Sequence, residues 1–216
     1  MLRTYHARAV ALKTKGARPY FTEPVRLPNA QTELFFDVET DPFRDLCYLH
    51  GFVKRTASDN ATEEFVPFTA DEADPKLEKA AFAAAWDFVQ SHPEATVYYY
   101  SPYERTTWRK LAKRYPDVVT DDHVSMLFAE DRFVDLYQDL VRSKMIWPTT
   151  SLSIKALASY LGFHWRDPDP SGAASVQWFH QWIEHGDPQL WHRILDYNED
   201  DCRAMRVLVD ALRRMN

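Results

Sequence analysis

The sequence predicts an α/β domain built on a mixed five-stranded sheet flanked by helices. Three observations carry this expectation. Short apolar runs at Glu33–Thr40, Leu46–Lys54 and Glu64–Thr69 are joined by loops brief enough for antiparallel pairing. Helix and strand patterns then alternate between Leu77 and Leu136, as they do where a chain adds strands by crossover. From Ser153 onward every pattern is helical.

Residues up to Gln31 are polar and broken by proline, and they carry Arg3, Arg8, Lys13, Lys15 and Arg18. They read as an arm or linker over 1–31, leaving 32–216 as one domain. Glu33–Thr40 is the first strand and Asp41-Pro42 its turn. Leu46–Lys54 and Glu64–Thr69 complete an antiparallel trio. Leu77–Gln90 is a helix, Ala-rich, with Phe82, Trp86 and Val89 as its stripe and Pro75 near its start. Ala95–Tyr100 is a strand, Pro102–Tyr115 a helix and Phe133–Leu136 the fifth strand. Ser153–Leu161 is a helix closed by Gly162, and Ala173–His185 another closed by Gly186. The last helix opens at Asp187-Pro188, an N-cap followed by proline at the first helical position, and runs to about Met215.

A chain of 216 residues with 45% hydrophobic and 27% charged residues can bury a full core. No apolar run nears the about 20 residues a membrane helix needs. Met1–Ala30 has no apolar signal core, so a cytoplasmic protein with no membrane partner is expected. Cys47 and Cys202 make neither a disulfide framework nor a C-x-x-C zinc site, and they read as buried thiols. The eight histidines show no paired metal spacing, and Trp178 and Trp182 read as core. A net charge of −6 argues against coating nucleic acid by charge alone. It leaves room for an enzyme on nucleic acid whose clustered acids are neutralised by metal.

Within the first strand, alternation puts Asp37 and Glu39 on one face and Leu34, Phe36 and Val38 on the other, toward a core. Two carboxylates on one face repel unless a cation lies between them or one holds a proton. Their hard oxygens suit Mg²⁺ or Mn²⁺. The alternative is a strand that ends in solvent with both acids hydrated. The last helix bears on this choice. Ile194, Tyr197, Asp201, Met205, Leu208 and Leu212 share one face, so Tyr197 and Asp201 lie one turn apart on the side that packs inward. Asp201 is either a structural acid bonded to an Arg or a backbone N–H, or a metal ligand that meets Asp37 and Glu39.

Asp37-Val38-Glu39 and Tyr197-x-x-x-Asp201 resemble the first and third motifs of the DEDD exonuclease superfamily, of ribonuclease-H-like fold. Tyr197, four before the last Asp, is similar to the DEDDy branch; Asp196 stands where the DEDDh branch has its His. The second motif, Asn-x-x-Phe/Tyr-Asp in the family, corresponds to Tyr100-Ser101-Pro102-Tyr103-Glu104, with Tyr for Asn and Glu for Asp. Asp135 lies where related proofreading domains carry a further Asp; its alternative role is to cap the following helix. Ser151-Leu152-Ser153-Ile154-Lys155, Leu161-Gly162-Phe163, Ser171-Gly172-Ala173 and Tyr197-Asn198-Glu199-Asp200-Asp201 resemble the exonuclease domain that often follows a RecB-type nuclease domain. This resemblance spans Glu33 to the C-terminus and implies fusion to, or association with, another nuclease or helicase domain.

The resemblance implies a 3′–5′ exonuclease with two Mg²⁺ or Mn²⁺ ions about 4 Å apart on the scissile phosphate. Asp37 would bridge both ions and Glu39 and Asp201 would hold the first. Glu104, with Asp135 as second choice, would support the second, and Tyr197 would orient the attacking water. The expected partner is single-stranded nucleic acid, DNA or RNA, with a free 3′ end. Arg105, Arg109 and Lys113 lie at i, i+4 spacing beside Lys110 and Arg114, among Tyr98–Tyr100, Tyr103 and Trp108. Basic residues among aromatics suit such a strand, and a solvated helix face is the plain alternative. Thr40, Tyr103, Arg105, Arg109 and Lys155 are the candidate substrate contacts. Two other readings stay open: a structure-specific endonuclease of the same fold, and a catalytically silent nucleic-acid-binding module.

Overall fold

The computed structural model describes residues 2–215, with side chains from Tyr5 onward. Met1 and Asn216, the outer ends of the two expected segments, lie outside them. The expected trio of antiparallel strands is present as β2 (Thr32–Asp41), β3 (Leu46–Thr56) and β4 (Asp59–Thr69), after an N-terminal helix α1 (Leu2–Lys13) and a short strand β1 (Tyr20–Phe21). β3 and β4 run further than the sequence indicates. They close through a two-residue turn in which Ala57 and Ser58 take positive φ, 53° and 55°, the conformation that matches strand twist.

Helix α2 (Pro75–Gln90) starts on Asp74, whose side chain accepts from the Lys76 N–H. It leads to β5 (Thr96–Tyr99), which pairs parallel with β2. Helices α3 (Tyr103–Arg114) and α4 (Asp121–Leu127) follow, then β6 (Phe133–Asp135), parallel to β5. The sheet order is β4-β3-β2-β5-β6, so β2 is central. Next come a one-turn-scale π-helix (Leu136–Arg142) and β7 (Met145–Ile146). Helices α5 (Ile154–Tyr160), α6 (Gly172–His185) and α7 (Pro188–Met215) complete the chain.

The sheet is packed on both faces. Leu34, Phe36 and Val38 meet α2, α3 and α4 through Phe82, Ala85, Trp108, Leu111 and Phe128. Phe35, Val53 and Tyr98 meet the π-helix, α5 and α7 through Leu140, Leu157, Met205 and Leu208. A third cluster joins Tyr48 and Leu49 to α6 and α7, where the Tyr48 and Phe179 rings stack with centroids 4.0 Å apart.

Four elements have no counterpart in the sequence expectation, α1, α4, β1 and β7, whereas the π-helix is the helix that the sequence lets Asp135 cap. The stretch expected as a bare arm carries α1 and β1, and β1 pairs antiparallel with β7 through Tyr20↔Ile146 and Phe21↔Met145. The pairing partner is distant in sequence, which is why local pattern misses it. Both cysteines are buried free thiols, and Trp178 is core, as expected. Among the described residues, no helix is long and apolar enough to cross a membrane.

Candidate metal centre

β2 carries its acids on the face that α7 covers. Leu34, Phe36 and Val38 fill the opposite cluster, which fixes Asp37 and Glu39 toward the helix. The β2–β3 register shifts between Glu39 and Thr40, an irregularity of the kind that re-aims side chains beside functional sites. On α7 the apolar positions Ile194, Met205 and Leu208 seat the helix against the sheet, and Tyr197 and Asp201 ride on that same side. Asp37, Glu39 and Asp201 each bring a carboxylate oxygen within 4.8 Å of the others.

The electrostatics follow from this crowding. Burial first, then the Asp201 charge, pushes the Glu39 carboxyl up to about 8. Burial and the charges of Asp201, Glu39 and Glu104 hold Asp37 well above the usual carboxylate range. Glu104 sits in the first turn of α3, buried, with Oε2 lacking any hydrogen-bond partner. Burial raises it strongly, and the charges of Asp135 and Asp201 add to that. Burial and the three acids push the Tyr197 hydroxyl far up, so it is held protonated. A buried group of acids with one orphaned carboxylate oxygen is under-supplied with positive charge, and its all-oxygen donor set fits a hard divalent cation.

The two options for the fourth acid separate by geometry. Asp135 Oδ1 accepts from the backbone N–H groups of Ser101, Tyr137 and Gln138 at 3.0, 3.0 and 2.9 Å. It therefore caps the π-helix and holds the turn before α3, where Ser101 takes a strained φ of 91°. Glu104 has no such employment on Oε2.

Of the candidate substrate contacts, Thr40 and Tyr103 line a cleft of about 430 Å³ with Asp37, Glu39, Tyr197 and Asp201, and their hydroxyls meet at 2.5 Å. Lys155 lies inside the acid group rather than along a path to it. Its Nζ donates to the Tyr197 hydroxyl at 2.8 Å and to both Asp201 oxygens at 3.1 and 3.2 Å. Arg105 and Arg109 do not line the cleft. Arg109 makes a bidentate pair with Asp121 at 2.6 and 3.0 Å, joined by Lys113 at 3.4 Å, and Arg114 pairs with Asp45 and Glu78. Much of the basic face of α3 is thus neutralised by neighbours. Tyr98 and Trp108 are core residues, and Tyr103 is the exposed aromatic of that group, 52% accessible.

Three residues enter that the sequence did not single out for the site. Trp165 donates its indole N–H to Asp201 Oδ1 at 2.8 Å. Asn198, wholly buried, donates Nδ2 to Asp37 Oδ2 at 2.8 Å. Gly51 stands opposite Asp37 in the β2–β3 ladder, and a Cβ built on it would lie 1.6 Å from Asn198 Oδ1. Two signals for these were present. Asn198 is four after Ile194 and three before Asp201, hence on the inward face, and an isolated Gly within a strand marks close approach.

A family model described as RNase_H_2, of the RNase H superfamily, matches residues 34–213. No curated protein and no solved structure matches the chain.

Proposed function

The chain belongs to the RNase H superfamily, and from that premise we propose that it is a metal-dependent 3′–5′ exonuclease that hydrolyses phosphodiester bonds of DNA or RNA with two Mg²⁺ or Mn²⁺ ions. The observation that carries the reading is the convergence of Asp37, Glu39 and Asp201 within 4.8 Å at the cleft, with buried Glu104 electrostatically coupled to them. In this reading Asp37, Glu39 and Asp201 would hold one ion, and Asp37 with Glu104 would hold the other. When bound, such ions supply Lewis-acid stabilisation of phosphate charge and lower the pKa of water.

The protein's own groups do the positioning. Tyr197 stays protonated, so it serves as a hydrogen-bonding guide for the nucleophile and not as its base. Asn198 and Trp165 fix the Asp37 and Asp201 carboxylates from behind. Thr40 and Tyr103 form the cleft wall against which a terminal nucleotide would lie. Lys155 engaged with Asp201 favours one other reading, a silent nucleic-acid-binding module.

Incubation of 5′-labelled single strands, DNA and RNA, with Mg²⁺ or Mn²⁺ separates these. A ladder shortening from the 3′ end is the expected result. Discrete internal cuts would indicate an endonuclease, and retention without cutting a silent module. Asp37→Ala should abolish cleavage and leave the circular dichroism spectrum intact; activity that survives it would refute the site.

A further inference from the structure

The acid group of this protein already contains one cation of its own. Lys155 Nζ spans both oxygens of Asp201 and the Tyr197 hydroxyl, at 3.1, 3.2 and 2.8 Å. It lies 4.7 Å from the centroid of the Tyr197 ring and 5.4 Å from that of Trp165, faces that favour positive charge. Among the described residues, no other Lys, Arg or His pairs with Asp37, Glu39, Glu104 or Asp201. The position is held from the chain: Ser153 caps α5 through the Ala156 N–H, and Leu157 is buried against α7, so Lys155 leaves the helix toward Asp201.

This arrangement has a cost for metal uptake. Asp201 Oδ1 accepts from both Trp165 and Lys155, and Oδ2 accepts from Lys155, so an incoming ion meets an ammonium on the oxygens it needs. Whatever stabilises the metal-free state without favouring the loaded one weakens apparent metal affinity by the same free energy. The Lys155 side chain is 32% exposed, which leaves it a route out toward solvent while Trp165 stays on Asp201.

We propose that Lys155 is a resident counter-ion. It neutralises the acid group in the metal-free protein and is displaced from Asp201 when a divalent ion binds, so it sets the concentration at which the ion is taken up. Lys155 is therefore a positioning residue that acts through Asp201. The proposal rests on the metal-dependent reading above.

The test is titration calorimetry of Mn²⁺ into the full chain, with wild type, Lys155→Met and Lys155→Arg, and needs no nuclease assay. Lys155→Met should bind Mn²⁺ roughly tenfold more tightly, the ratio that ~1.4 kcal/mol of released ion pairing gives. Lys155→Arg keeps the charge and should stay within about threefold of wild type. In EDTA, Lys155→Met should melt below wild type and recover most of that loss on adding Mn²⁺. Equal or weaker Mn²⁺ binding by Lys155→Met overturns the counter-ion and leaves the nuclease reading standing. If Lys155→Met fails to fold with or without Mn²⁺, Lys155→Arg decides on folded protein, and tenfold tighter binding there overturns the proposal. Absence of Mn²⁺ binding by wild type overturns both.

Discussion

Gly51→Ala should damage the acid group without touching any acid. The new Cβ would lie 1.6 Å from Asn198 Oδ1, 2.8 Å from its Cγ and 3.1 Å from Phe65 Cε2. Asn198 is fully buried, so its amide cannot turn aside into solvent and must give up its 2.8 Å bond to Asp37. Overpacking costs about 1–3 kcal/mol. A lost hydrogen bond to a carboxylate costs about 1.5–3 kcal/mol, and replacing Gly in a strand returns about 0.5–1 kcal/mol. The net expectation is a loss of about 2–5 kcal/mol, or a fall in Tm of about 5–15 °C for a domain of this size. The assay is urea unfolding of wild type, Gly51→Ala, Asn198→Ala and the double variant. With Asn198 truncated the clash is gone and only the Phe65 contact remains, so Gly51→Ala should become near-neutral in that background. The coupling should then exceed about 1.5 kcal/mol. Additivity within about 0.5 kcal/mol would refute the claim that Gly51 exists to admit Asn198.

Three further outcomes follow from the same site. Glu39 is raised from its ordinary 4.5 to about 8, and Asp37 and Glu104 are raised as well. A carboxyl whose folded value is raised contributes stability that is complete below its unfolded value and lost as pH rises through the folded one. Metal-free protein should therefore lose stability between about pH 4.5 and 8, by up to roughly 5 kcal/mol from Glu39 alone at 1.36 kcal/mol per pH unit, and Mg²⁺ should restore most of it at the alkaline end; melts in EDTA and in Mg²⁺ across this range check it, and a flat metal-free profile would contradict it. Asp135→Ala removes three backbone partners and should cost about 2 kcal/mol of stability, as a lost cap does. Glu104→Gln should cost little stability yet weaken Mn²⁺ binding in calorimetry, and the reverse ranking would return the fourth acid to Asp135.

What the sequence made legible was periodic. The alternation of β2 placed Asp37 and Glu39 on one face, and the stripe of α7 placed Tyr197 and Asp201 inward; the packing of Phe36 and Met205 on opposite clusters shows both patterns at work. What it hid depends on partners far along the chain. The spacing of Arg109 and Lys113 reads as an open basic face, but Asp121 of α4 takes both. Lys155 reads as a substrate contact because its sequence neighbours say nothing of Asp201. Trp165 reaches Asp201 from a loop that Arg166, next to it, ties to Asp196, Glu199 and Asp200 on the same helix, a link between distant segments that local pattern does not show. Strand β1 is two residues long and pairs with β7 alone, too little for a local pattern to register.

The central strand and the final helix meet across a sequence separation of 161, as the Asn198–Asp37 bond measures. A polypeptide emerging from the ribosome thus displays Asp37 and Glu39 long before it owns Asp201 or Tyr197. Such a half-made chain has no three-acid cage in which to trap an ion, so the candidate metal centre would be complete only once the last helix has docked.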